Sequence, residues 1–130
     1  MERRKRARQI IDFAGLTDGR LGPTDIDGVY DLHGRAFMFF EFKYDGAPVP
    51  TGQRIALENL VKACGDAGRP AVAVVVDHYQ REGLLDVDAA AGIVREAFWY
   101  NFRQWHKPPR EITLAEALEA FKKEAHAINN

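Results

Sequence analysis

The chain has 130 residues, with 18 Lys and Arg against 19 Asp and Glu, one Cys and no Ser. A chain this long buries roughly two-thirds of its unfolded surface in one core, so a single domain over residues 1–130 is expected. One Cys excludes a disulfide framework and a Cys-rich zinc module, and the absence of Ser excludes a serine nucleophile. The longest apolar run, 71–76, is far too short to span a bilayer, and the basic start is followed by no uninterrupted apolar segment of a secretory signal. A soluble, cytoplasmic protein without a membrane partner is expected.

The near-zero charge conceals a gradient. Residues 1–8 carry Arg3, Arg4, Lys5, Arg6 and Arg8 against Glu2, whereas residues 9–51 carry three basic and seven acidic residues. Such a basic arm is either a solvated face or a phosphate-tracking segment. Residues 3–14 have the pattern of a short helix ending on Ile10, Ile11 and Phe13, with Gly15 as its stop. Gly19, Gly22 and Pro23 then mark a loop.

Two strands follow, 26–32 and 36–44, joined by His33, Gly34 and Arg35 as a hairpin loop. The second strand is aromatic on both faces, the pattern of a central strand. After a loop over 45–50, Thr51 is a suitable N-cap for a helix over 52–66, with Leu57, Leu60, Val61 and Cys64 on its buried stripe. Residues 71–76, all apolar and mostly β-branched, read as an interior strand. Residues 93–105 fit either a helical stripe or an edge strand, and the aromatic density of Phe98, Trp99, Tyr100 and Phe102 favours the strand. Pro108 and Pro109 end it. Thr113 and Glu116 form a capping box for a C-terminal helix with Leu114, Leu118, Phe121, Ala125 and Ile128 on one side. The order indicates an α/β domain, a central mixed sheet flanked by helices.

The chemistry concentrates in the hairpin. Glu41 and Lys43 interrupt an aromatic strand and share one face. Buried charges cost several kcal/mol each unless paired or bound to metal. Register decides what meets them. A three-residue loop, 33–35, sets Leu32 opposite Ala36, Asp27 opposite Glu41 and Asp25 opposite Lys43. A two-residue loop would set Asp27 opposite Phe40 and send Glu41 to the other side. Gly34 suits the bulged three-residue loop, so an odd-numbered loop is expected. Two adjacent carboxylates can hold a hard divalent cation with waters and a substrate phosphate. A neighbouring lysine can orient water or offset developing charge. The alternative is a structural ion pair, Glu41 or Asp25 with Lys43.

Asp25-Ile26-Asp27, followed by Glu41-Phe42-Lys43 and then Gln53 at a helix start, resembles the PD-(D/E)XK nuclease superfamily. The layout is most similar to small virus-type replication-repair nuclease (VRR-NUC) domains and Holliday-junction resolvases. The resemblance covers residues 1–80. It implies a restriction-endonuclease-like αβββαβ core with a C-terminal helix beyond it, and a Mg²⁺- or Mn²⁺-dependent deoxyribonuclease. It also implies Asp27, Glu41 and the Phe42 carbonyl as metal ligands, Lys43 as the catalytic lysine and Gln53 as a further site residue. Asp25 is the other candidate for the motif aspartate. The Tyr found four residues after the Gln in some relatives is Leu57 here, and the N-terminal carboxylate of the family has only Glu2 or Asp12 as candidates. On this reading Arg3, Arg4, Lys5, Arg6 and Arg8 would contact DNA, and cutting both strands at once would need a homodimer. A catalytically inactive nucleic-acid- or protein-binding module on the same fold is the alternative.

Weaker candidates are Asp77-His78 at a strand end, His33 at the loop tip, and Trp99, Tyr100 and Trp105 with Arg103 and Lys107 as a stacking surface. His106 and His126 lack zinc-ligand spacing. Cys64 reads as core.

Overall fold

A computed structural model describes residues 11–19, 22–80 and 86–129. The basic arm and Glu2 lie outside them, as does most of the helix expected over 3–14. Of that helix, residues 11–13 are not helical, and Ala14–Leu16 forms one 3₁₀ turn with Gly15 inside it. Just before this turn, Asp12 Oδ1 accepts the Ala14 N–H at 2.9 Å.

Five strands form one sheet in the order β1-β2-β3-β4-β5. They are β1 (Gly28–Asp31), β2 (Phe37–Tyr44), β3 (Ala71–His78), β4 (Ile93–Trp99) and β5 (Trp105–His106). Helix α1 (Thr51–Asp66) joins β2 to β3, and α2 (Leu114–Asn129) ends the chain. β2 and β3 are parallel and the other pairs antiparallel, because only the β2–β3 connection carries a helix long enough to return the chain to its starting side. The chain is therefore α/β with a mixed open sheet. The expected αβββαβ order is not what the described residues give. Two strands, not three, precede the crossover helix, and β4 and β5 follow β3.

Each face of the sheet has its own core. Alternation along β2 sends Met38, Phe40 and Phe42 towards α2, where they pack with Val72, Val74, Val76, Val94, Leu114 and Phe121. Phe37 and Phe39 face α1 and pack with Leu57, Val61, Ala71, Ala73 and Phe98. Leu57 and Val61 are fully buried, each contributing about 1.5–3 kcal/mol. β3 lies between two strands and beneath both cores, and its first seven residues are buried.

Several boundaries differ from expectation. The first strand is shorter than 26–32 because its ladder begins only at Gly28. Pro50, not Thr51, occupies the N-cap of α1, and no side chain caps that end. The 93–105 segment is a strand only to Trp99. It then turns at Arg103, whose φ is 53°, and returns as the two-residue β5. The capping box of α2 forms in both directions: Glu116 Oε1 accepts the Thr113 N–H at 3.0 Å, and Thr113 Oγ1 accepts the Glu116 N–H at 3.2 Å. Leu114, Phe121 and Ala125 are buried on the expected stripe, while Ile128 lies outside the described side chains. Among the described residues, no helix is long and apolar enough to cross a membrane.

Candidate functional site

The hairpin fixes the site. Its register pairs Gly28 with Phe40 and Asp31 with Phe37, and the Leu32 N–H donates to the Ala36 carbonyl at 2.9 Å. The loop is thus three residues, 33–35. His33 and Gly34 take left-handed φ values of 57° and 74°, and the Asp31 carboxylate accepts the Gly34 N–H. This is the odd-numbered loop that carries Asp27 to the level of Glu41.

The ladder stops where the site begins. By alternation, Ile26 would be the next residue to exchange bonds with Phe42. Instead, the Phe42 N–H donates to Asp27 Oδ2 at 2.7 Å. A carboxylate replaces a backbone carbonyl as the acceptor, so the chain bends away and Asp27 is held against β2. N–H and C=O of one strand residue leave on the same side. The Phe42 carbonyl therefore also faces the edge where Asp27 sits. Gly28 makes this approach possible: a Cβ there would lie 2.1 Å from the Phe40 ring.

Glu41 is only 3% exposed, on the α1 face of the sheet. Gln53, in the first turn of α1, reaches down to it. Its Nε2 donates to Glu41 Oε1 at 3.1 Å and to the Asp25 carbonyl at 3.0 Å. Lys43 Nζ lies 3.8 Å from Glu41 Oε1. Burial first, and the nearby Asp27 carboxylate second, push the Glu41 carboxyl up to about 7, against a smaller opposing pull from Lys43. Asp27, Glu41, Lys43 and Gln53 are thus brought together. Asp25 contributes its backbone carbonyl, and its expected pairing with Lys43 is not part of the ladder, which ends at Gly28.

Whether these residues suit a metal can be judged from the oxygens left over. Glu41 Oε2 and Gln53 Oε1 are buried and make no hydrogen bond among the described residues, although the Asp27 backbone N–H offsets part of the upward push on the Glu41 carboxyl. An unsatisfied buried carboxylate oxygen is costly, and a hard cation would satisfy it. Among the described residues no cluster of three or more His, Cys, Asp or Glu is placed to hold an ion. The set is therefore not a complete protein cage. Asp27 and Glu41 supply the one or two carboxylates that a Mg²⁺ site commonly uses, with its remaining positions left to other oxygens.

Two neighbouring arrangements were not anticipated, although Asp77 itself was a weaker candidate at its strand end. Asp77, level with Lys43 on β3, is bound by Arg95 through both guanidinium Nε and Nη2, and it also accepts the Gly46 N–H at 3.0 Å. Those donors, Arg95 foremost, hold its carboxyl below the usual aspartate range. Arg95 reaches it because a bulge between Val75 and Val76 inserts an extra residue into β4. Glu96 stands level with Val75 and hence with Glu41, and pairs with Arg54 at 2.5 Å. Arg54 also stacks on Trp105, 4.7 Å from its ring centre. These contacts anchor the α1 turn that carries Gln53. For this second arrangement the only sequence signal was Arg54 directly following Gln53.

No family model matches the chain, and neither a curated protein nor a solved structure matches it.

Proposed function

We propose that this chain is a Mg²⁺- or Mn²⁺-dependent nuclease that hydrolyses DNA phosphodiester bonds on a restriction-endonuclease-like plan. The observation that carries the reading is the buried, under-satisfied Glu41, set beside Asp27 and touched by both Lys43 and Gln53. The Glu41–Lys43 ion pair does form, at 3.8 Å, but unlike the forked Arg95 on Asp77 it reaches only one carboxylate oxygen. Glu41 keeps its other oxygen without a hydrogen bond and has a second carboxylate for a neighbour.

Asp27, Glu41 and the Phe42 carbonyl would hold the cation, with Gln53 bracing Glu41. When bound, the cation supplies Lewis acidity for water and for a phosphoryl oxygen. Lys43 contributes a fixed positive charge that orients the attacking water and offsets the negative charge gathering on phosphate. Water oxygen bonds to phosphorus as the opposite P–O ester bond breaks, and the leaving oxygen takes up a proton. Cys64 is a free thiol, which suits a cytoplasmic, reducing setting.

The test is cleavage of labelled duplex, flap, junction and single-stranded DNA with and without Mg²⁺ or Mn²⁺. Metal-dependent cutting of at least one substrate, lost in Glu41→Ala and Lys43→Ala, supports the reading. Equal cutting by wild type and both variants overturns it.

A further inference from the structure

A second feature sits at the other end of β1. Between the hairpin tip and α2 lies a hollow of about 660 Å³, lined by Tyr30, His33, Arg35, Lys122, Lys123 and His126 among others. Three permanent cations and two histidines face one lining carboxylate, that of Asp31, which is engaged by the Gly34 N–H within the hairpin. The cations come from two separate elements and are brought together by the fold. Lys122 Nζ lies over the Tyr30 ring, 5.1 Å from its centre, and 3.3 Å from Glu119. That pose holds the lysine across the junction between helix and hairpin. The floor of the hollow is largely apolar, with Leu32 and Ala36 in it, and the cationic heads of Arg35, Lys122 and Lys123 supply the charge that a phosphodiester backbone would meet.

Among the described residues, the edge of β1 joins this hollow, on the α2 side of the sheet, to the carboxylates on its α1 side. β1 is an edge strand, and after Gly28 its residues are exposed, with Val29 at 52%. Asp27 stands at one end of it and the hollow at the other. From Arg35 to Glu41 the strand rise of ~3.3 Å per residue gives about 20 Å, or about six nucleotides at ~3.4 Å each along one strand.

We infer that this hollow binds the phosphate backbone of DNA lying along the β1 edge, about six nucleotides from the phosphate presented to Asp27 and Glu41. The inference rests on the proposed nuclease reading for its second half, but the hollow's affinity for DNA is measurable without cleavage.

The experiment uses the full chain with divalent metal chelated and a fluorescein-labelled duplex of about 20 bp, read by anisotropy across a salt series. Arg35→Ala/Lys122→Ala/Lys123→Ala should weaken binding at least about tenfold at ~0.1 M salt, and flatten the slope of log K against log salt by about 2–3. Arg69→Ala/Arg110→Ala, removing charge from exposed positions elsewhere, should leave the slope as in wild type, and the single Lys123→Glu should reproduce part of the loss. Wild-type affinity and slope in the triple variant would overturn the inference, as would equal weakening by both sets or no duplex binding by wild type. If the triple variant loses binding but wild type shows no metal-dependent cutting, the hollow stands as a DNA-binding surface and the nuclease reading falls.

Discussion

Asp77 and Glu41 are the two buried carboxylates of the sheet, at 9% and 3% exposure, one strand apart and on the same face. Their surroundings are opposite. Asp77 receives a forked guanidinium and a backbone N–H, and its carboxyl is held low. Glu41 receives one amide and a lysine at 3.8 Å, faces another carboxylate, and is pushed up to about 7. Burial alone therefore does not mark a structural charge. What distinguishes the two is whether the protein itself supplies the compensating donors. Where it does, the carboxylate ties β3, β4 and the loop after β2 together. Where it does not, the carboxyl holds its proton up to about pH 7 beside Asp27, and the proposed cation would take that proton's place.

The largest expected effect breaks the functional half of the contrast. Glu41→Ala and Lys43→Ala should each lower metal-dependent cleavage by at least about 10²-fold, with an unchanged circular dichroism spectrum. Retained cleavage would place Glu41 with Asp77 as a structural group. The structural half breaks through stability. Asp77→Ala leaves Arg95 largely buried without its partner, so urea unfolding should show a loss of about 3 kcal/mol. A loss below about 1 kcal/mol would mean that the pair behaves as a surface ion pair.

The two carboxylates also titrate with opposite sign. A carboxyl held low in the folded state stabilises the fold above its unfolded pKa, and that contribution is lost as pH falls through the acid range. A carboxyl raised in the folded state does the reverse. In metal-free protein, Glu41 should favour the fold fully below about 4.5 and lose that contribution as pH rises to about 7. The loss amounts to about 3 kcal/mol. Chelated wild type should therefore be less stable at pH 8 than at pH 5 by roughly this amount, and Glu41→Gln should remove most of the difference. Added Mg²⁺ should restore wild type at pH 8 but not Glu41→Gln.

The smallest effect concerns how the contrast is built. Gly28→Ala sets a methyl against the Phe40 ring and should cost about 1–3 kcal/mol. Because it moves the end of β1, it should also weaken Mg²⁺ binding, read by calorimetry. Lost stability with unchanged metal affinity would show that Asp27 does not depend on this approach.

Much of the site was legible in the chain. Alternation placed Glu41 and Lys43 on one face, and Gly34 with its neighbours set an odd loop, so the level of Asp27 and Glu41 followed from counting. Gln53 was named by the resemblance, at the start of a helix whose stripe faces the sheet. The partner of Asp77 was not legible, because Arg95 reaches it only through a bulge, and the bulge depends on how β4 settles against β3. Nor was the end of β1, where a side chain displaces a ladder bond. The turn at Arg103 and the short β5 were likewise hidden, since aromatic density says strand without saying where it folds back.

Local rules thus settled the hairpin register, the two long helices in outline and the capping of the last one, since each depends on residues within a few positions of one another. The near-zero net charge was also fixed by composition, but its meaning was not. Folding sets the acidic Asp27 and Glu41 at one end of β1 and gathers Arg35, Lys122 and Lys123 at the other. These cations are some ninety residues apart in sequence. Only the packing of α2 against the sheet brings them together, because long-range burial rather than local propensity decides which surfaces meet.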